Sequence, residues 1–461
     1  VKPTAPATDH DAADLDAYPP LADTGGAAAR RYHARYGSVL PAIDLAASNT
    51  PPKHHPGAPV VPLPFPPGCP SADVSSAATG LDPATVESLS SLGALLALLC
   101  GVTRIDWAGA GVGAGRPVPS GGGAYPGEVY AATAFGLCHY LPAAHALELL
   151  SPADLRADLT RALSRPPADR PDLVLLITSR QDANLARYGP FGHRLQALDT
   201  GVLAGQALTL LAAADARPTA HALFADQELG GLLGLDPGAE RVHAVVTAGP
   251  VDPPPPNTAL LNRRSARCGF EPAPVPLAQL TELLDQATAP FPRDDLDDLD
   301  DPNGSDGPNA PGCDLYLVAG RVTGLDHGCF RHDPRTGGLV PLPPGATPRD
   351  LFPPGGPGEL AGFEAACALL VVGDYEQGYP EHGDRWYRML NLRAGILGQR
   401  IGLAAARVGL AAGLRCDFVT TETDRLLQTP PGRTALLAAL IGPERGSGTP
   451  THPLLFTGGH R

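Results

Sequence analysis

Residues 189–214 read GPFGHRLQALDTGVLAGQALTLLAAA, and residues 382–407 read HGDRWYRMLNLRAGILGQRIGLAAAR. In both, an Arg-bearing segment runs into an apolar stretch with helical spacing, and Gly205-Gln206 falls on Gly398-Gln399. In that register Gly201 lies opposite Ala394, one residue short of Gly395. A glycine inside a helix costs about 1 kcal/mol relative to alanine. Keeping Gly201, Gly205, Gly395, Gly398 and Gly402 therefore predicts helices pressed against a close neighbour, such as each helix's own counterpart. Downstream, GLLGLDPG (231–238) resembles RLLQTPPG (425–432). A period of roughly 190 residues is far longer than the about 20–50 of a solenoid, so it reads as a duplicated domain.

Working outward, the same order of elements is expected twice. In the first half, helices are predicted near Ala27–Tyr36, over Leu81–Cys100 behind Asp82-Pro83, and over Asp199–Ala214; strands are predicted at Val129–Leu137, Leu173–Thr178 and Val242–Ala248. In the second, Leu277–Ala287 and Leu392–Ala411 read as helices, and Asp314–Ala319, Ala368–Val372 and Leu436–Ile441 as strands. The predicted organisation is an extended Pro-rich arm over 1–75, a first half over 76–255 and a second over 256–461. The run RDDLDDLDDPNGSDGPNAPG (293–312) is predicted to be a solvated acidic insertion.

The chain has 461 residues, 43% of them hydrophobic and 18% charged, which suits two packed cores. Its net charge of −14 and its lack of any basic stripe argue against nucleic-acid binding. The 8 cysteines form no C-x-x-C, and no His or Cys stands at zinc spacing, so no metal site is assigned. The stretch 1–20 has four aspartates and no apolar core, unlike a signal peptide, and no apolar run reaches the about 20 residues that span a bilayer. A cytoplasmic protein is expected. Lys2 and Lys53 are the only lysines in an otherwise Arg-based chain.

Two stretches carry chemistry. The first is RPVPSGGGAYP (116–126), where Pro119 and Ser120 precede Gly121, Gly122 and Gly123, a backbone that a ligand can approach closely. The second is Asn262-Arg263-Arg264-Ser265-Ala266-Arg267, whose guanidiniums and hydroxyl suit a phosphate. Taken singly, the first also reads as a flexible turn and the second as a solvated basic turn.

Together these stretches resemble the nitroreductase superfamily, and more closely its branch of peptide azoline dehydrogenases. PPKHHPGAPVVPLP (51–64) is similar to that branch's N-terminal arm, RPVPSGGGAYPGEVY (116–130) to its flavin loop, and RYGPFGHRLQALDTG (187–201) to its catalytic segment. RRSARCGFEPAPVP (263–276) resembles the opening flavin-phosphate motif, and LYLVAGRVTGLDHGCFRHDP (315–334) the second half of tandem members. The resemblance implies an α+β fold of two nitroreductase-like halves forming a pseudo-dimer, each with a mostly antiparallel sheet. It also implies FMN at the interface between the halves. Arg263, Arg264, Ser265 and Arg267 would hold its phosphate, with Arg445 or Arg461. Pro119, Ser120, Gly121 and Gly122 would reach it from the other half, and Asp417 and Phe418, following Cys416, would lie near the ring.

The motifs are lost in a complementary way. The second half has Arg263-Arg264-Ser265 but only Asn309-Ala310-Pro311-Gly312 for the Pro-Ser loop; the first has Pro119-Ser120 but only FPPGCP (65–70) for the Arg cluster. One composite site, hence one FMN per chain, is expected. The family's catalytic Lys-Tyr is Arg187-Tyr188 here, and Pro380-Glu381 stands at the matching place of the second half. Arg stays protonated and cannot be a base. Tyr188 would then take the proton, with Arg187 lowering its pKa. The resemblance implies oxidation of thiazoline or oxazoline rings in a ribosomally made precursor peptide, beside cyclodehydratase machinery. An NAD(P)H-dependent reductase of dehydroamino acids or nitro compounds, and a non-catalytic scaffold, are the other readings.

Overall fold

Unbroken runs of Leu, Val and Ile make the central strands, because a strand covered on both faces has no position for a polar residue. The clearest are β7 (Leu173–Arg180) and β15 (Cys367–Asp374), buried along nearly their whole length. In this computed structural model the described residues are 25–37, 44, 51–64, 83–108, 111–253, 258–266, 268–289, 313–343, 345–446 and 451–453. The insertion 293–312, the segments 65–70 and 309–312, Arg267, Arg461 and most of 1–50 lie outside them.

The remaining strands of the first half are β1 (Val60–Pro62), β2 (Arg104–Ala108), β3 (Gly111–Gly115), β4 (Gly127–Thr133), β5 (Gly136–Leu141), β6 (Ala146–Ser151), β8 (Thr219–His221) and β9 (Glu240–Ala248). Those of the second are β10 (Val275–Pro276), β11 (Cys313–Ala319), β12 (Val322–Thr323), β13 (Gly328–His332), β14 (Leu339–Leu342), β16 (Ala411–Arg415), β17 (Arg433–Gly442) and β18 (Thr451–Pro453). One antiparallel sheet runs β1-β6-β5-β4-β7-β9-β8, and the other β14-β13-β11-β15-β17-β16. Apart from the added edge strand β1, the two orders are the same. Even an irregularity is shared: the ladder slips between Ile177 and Thr178 in one half and between Val371 and Val372 in the other. A small sheet, β18-β2-β3, joins the C-terminal stretch to the first half.

The helices used below are α1 (Ala27–Tyr36), α2 (Pro83–Cys100), α3 (Gln181–Tyr188), α4 (Gly192–Ala213), α5 (Asp226–Leu233), α6 (Leu277–Thr288), α7 (Pro357–Glu364), α8 (Arg385–Arg407) and α9 (Thr420–Leu427). The central crossing is α4 on α8. A methyl group on Gly201 would overlap the carbonyl oxygen of Leu392, and one on Gly395 that of Leu198. The two glycines face each other, so the backbones touch where any side chain would hold them apart. Gln399 donates to Gln206 across the crossing at 2.7 Å, so the residues paired in the sequence repeat meet on the pseudo-twofold axis.

Several boundaries differ from the sequence reading; α8, for one, begins at Arg385 rather than Leu392. The single strand expected over Val129–Leu137 is a hairpin, β4 and β5, turning at Ala134-Phe135 ahead of Gly136, which has φ 135°. Helix α4 begins seven residues before Asp199 because His193, Arg194 and Gln196 hide the periodicity. Arg194 is buried against the other half, donating to the carbonyls of Ala435 and Leu436. Helix α8 ends at Arg407 rather than Ala411, and after Gly409 (φ 75°) the chain enters β16. Among the described residues, no helix is long and apolar enough to cross a membrane.

Candidate active site

The glycine-rich loop between β3 and β4 needs its glycines. Gly122 and Gly123 have φ 59° and 69°, a left-handed backbone that L side chains rarely adopt. Three groups pin this loop. Ser120 donates its hydroxyl to Asp199 at 2.8 Å, and the Gly121 N–H reaches the same carboxylate at 3.1 Å. Arg187 donates to the Gly122 carbonyl at 2.7 Å. From the second half, Arg263 donates to the Pro117 carbonyl at 2.6 Å. Tyr188 closes α3, and the chain turns at Gly189 (φ 53°) before α4, which aims the phenol at the loop beside Gly122.

A cavity of about 260 Å³ lies between this loop and the second half. Pro119, Ser120, Gly121, Gly122, Tyr188 and Asp199 wall one side; Ser265, Gly395, Arg415, Cys416, Asp417 and Leu437 wall the other. Leu195, Leu198, Val202 and Leu414 make its apolar faces. Apolar walls with hydroxyl, carboxylate and guanidinium groups at the edge suit a flat heteroaromatic ring whose polar atoms lie on its rim.

Eight residues placed at the site from the sequence thus line one cavity: Pro119, Ser120, Gly121, Gly122, Tyr188, Ser265, Cys416 and Asp417. Arg187 stands just behind, on the loop. Arg263 is buried beneath the loop, bound to Pro117, and Arg264 is half-buried beside Ser265. Phe418 packs into the core of the second half. Arg445 pairs with Glu364 at 2.7 Å and donates to the Phe270 carbonyl at 3.0 Å, outside the cavity lining.

The electrostatics differ from the sequence expectation at Tyr188. Arg187 does pull its pKa down, but burial outweighs that, and the hydroxyl sits above its ordinary value. Burial likewise pushes the Cys416 thiol up to about 12, which keeps it neutral and unreactive.

Asp199 is the residue the sequence reading passed over. It stands on α4 among buried apolar neighbours, and burial raises its pKa to about 6 against the pull of Ser120 and Gly121. The folded chain therefore holds this proton more tightly than the unfolded one. The associated stability is present at low pH and lost as pH rises through about 6. Two units correspond to about 3 kcal/mol. The stability of the native protein relative to an Asp199→Asn variant should thus improve by roughly that amount from about pH 8 to about pH 4. Denaturant titrations at the two pH values check this; a constant difference would mean that Asp199 titrates normally.

The pseudo-equivalent position on the other side of the axis is filled. The Gly-Gln register places Leu195 opposite Arg388 and Gly192 opposite Arg385, and matching α5 to α9 places Ala222 opposite Cys416. Arg385 donates to the carbonyls of Ala222 and Phe224 at 3.2 and 3.0 Å. Arg388 meets Asp226 at 2.8 Å, and Arg385 pairs with the other oxygen of the same carboxylate. Both guanidiniums lie over the Phe224 ring. Where one side has a cavity, the other has an ion-paired plug.

No protein-family model matches this chain, and no curated protein matches it. Solved structures do. A nitroreductase-like protein from Anabaena variabilis superposes with a TM-score of 0.74 at 21% identity, over 92% of this chain and 100% of its own. The E. coli microcin synthetase McbBCD complex, with truncated pro-MccB17 bound, matches at 20% identity and a TM-score of 0.31, over 48% of this chain and 91% of the matched one. A nitroreductase-like protein from Ralstonia eutropha matches at 20% and 0.31, over 44% and 93%. With its repeated sheet order and its paired central helices, the chain has the nitroreductase fold, twice over in one polypeptide.

Proposed function

We propose that this chain is an FMN-dependent oxidoreductase that oxidises thiazoline or oxazoline rings in a ribosomally made peptide. The observation that carries the reading is the cavity itself: the Pro119–Gly122 loop and Tyr188 from one half meet Ser265 and Asp417 from the other.

The residues present fit a flavin. Glycines at 121 and 122 let the backbone line the cavity without side chains, and Leu195, Leu198, Val202 and Leu414 offer apolar faces to a ring. Ser265 and the half-buried Arg264 stand ready for a phosphate at the second-half edge. Arg263 serves this end indirectly, by fixing Pro117 and hence the loop. A bound FMN supplies the hydride acceptor. The protein's share is to hold the ring and peptide together, exclude water and take the proton released from the azoline carbon. Tyr188, as its phenolate, is the group at the cavity that takes it and becomes a neutral phenol; Arg187 offsets the phenolate charge before the transfer. The precursor peptide and the cyclodehydratase machinery that makes its azolines are the implied partners.

The raised pKa of Tyr188 also favours a second reading. A phenol neutral at rest is a proton donor, which a reductase using NAD(P)H requires. The direction of proton flow separates the two.

The first experiment is the visible spectrum of the purified protein, with quantification of the flavin released by heat. One FMN per chain is expected, since Arg385 and Arg388 occupy the equivalent position across the axis. Two per chain would show that the plug yields. None after incubation with FMN would remove the oxidoreductase reading.

A further inference from the structure

The face of the first sheet turned away from α4 carries an unusual row. Tyr130 on β4 pairs with His139 on β5, and His139 pairs with Glu148 on β6, so the three stand side by side across the strands. Glu128 stands two residues before Tyr130, on the same face. The segment 51–64, which ends in the edge strand β1, crosses this row and lays Lys53, His54 and His55 on it. Such a sheet face is ordinarily apolar; here it buries three carboxylates, Glu128, Glu148 and Glu240, and the His139 imidazole.

We propose that His55, His139 and Glu148 bind one divalent transition-metal ion of the zinc type. One ligand atom from each lies within 4.8 Å of the others. The edge from His139 Nδ1 to the Glu148 carboxylate is 2.9 Å, already close to the separation of neighbouring ligands around zinc. Two imidazoles with one carboxylate are the donor set of zinc and its neighbours, not of calcium or magnesium.

The surroundings are those of a metal-binding histidine. Such a ring almost always gives its second N–H to a carboxylate, a backbone carbonyl or a water, which fixes the tautomer. His139 Nε2 faces Glu128 at 3.3 Å, leaving Nδ1 turned toward Glu148. The Glu148 carboxylate is itself held by the backbone N–H of His55, at 3.1 Å to each oxygen. Three carboxylates gather here: Glu128 meets Arg180, Glu240 meets Lys53, and Glu148 meets His139 and His54. His55 is half-buried and belongs to the crossing segment, so it is the ligand with freedom to close in. The ion would fasten segment 51–64 to the sheet. It would do so on the opposite face from the cavity, independently of the flavin reading.

The test uses the full-length protein, stripped with a chelator, incubated with zinc chloride or cobalt(II) chloride, and freed of unbound metal by gel filtration. Elemental analysis should find one zinc or one cobalt per chain. His55→Gln and His139→Gln should abolish stoichiometric uptake, and Glu128→Gln should weaken it by about ten- to a hundredfold. Because His139 is buried and its variant can misfold, the half-buried His55 gives the decisive variant, with its melting temperature in chelator compared with that of the native chain. Zinc should also slow proteolysis within segment 51–64. No uptake by the native protein, or the same uptake by a folded His55→Gln variant, would overturn the site.

Discussion

Tyr188→Phe should lower kcat for azoline oxidation by about a hundred- to ten-thousandfold, the range for loss of a positioned proton acceptor. FMN content should not change, because Ser120, Gly121 and Ser265 remain and only one hydroxyl at the cavity wall is removed. The pH dependence makes the prediction sharper. Burial holds the Tyr188 pKa above its ordinary value despite Arg187. At neutral pH the phenolate is then at most about one part in a thousand. A rate limited by that form should climb about tenfold per pH unit through the neutral and alkaline range, and the Phe variant should lose this slope. Single-turnover flavin bleaching by an azoline peptide across that range provides the measurement. A flat profile in the native enzyme, with rapid bleaching by NAD(P)H, would instead make Tyr188 a proton donor and the protein a reductase.

The second large effect is structural. Asp226→Ala should cost about 3 kcal/mol or more, because it leaves two guanidiniums without their carboxylate. Arg385 and Arg388 are almost wholly buried, and Asp226 is only partly open to water, so screening relieves little of the cost. Replacing the whole group should behave differently. A triple variant, Asp226→Ala with Arg385→Met and Arg388→Leu, should recover most of the loss, since apolar residues of similar size replace buried ion pairs at little or no cost. Urea titrations of the single and triple variants decide it. If the single variant is near neutral, the plug owes its stability to packing on Phe224 rather than to charge.

Much of the fold could be read directly, and the reasons are visible in particular elements. Leu173–Thr178 and Ala368–Val372 announce themselves as buried strands because each opens on at least five apolar residues in a row. The glycines of α4 and α8 announce a close crossing because no other role offsets their cost in a helix. Boundaries were lost where tertiary contacts override local pattern. Arg194 looks like a surface residue until its donation to Ala435 and Leu436 in the other half is seen.

The site was legible to the same degree. Ser120 and its glycines, Tyr188 and Ser265 carry recognisable local patterns. Asp199 carries none: one carboxylate in a helix reads as solvent-facing unless both flanks are known to be buried. Arg263 reads in the sequence as a phosphate-binding cation, whereas its attachment to Pro117 depends on a segment 146 residues away. His55, His139 and Glu148 share no metal-ligand spacing, because the sheet, not the local sequence, brings them together. The same holds for the Arg385, Arg388 and Asp226 plug.

That plug has a consequence for lineage. In an assembly of two identical subunits, every substitution is made twice, so an arginine that fills one pocket fills both and abolishes the catalyst. Joining the copies in one polypeptide lifts that symmetry constraint. One pocket could be surrendered to structural duty while its twin stayed under selection for chemistry. Separating the halves and pairing each with itself would put Arg385 and Arg388 into both pockets of one assembly and leave Arg263 and Arg264 out of both pockets of the other.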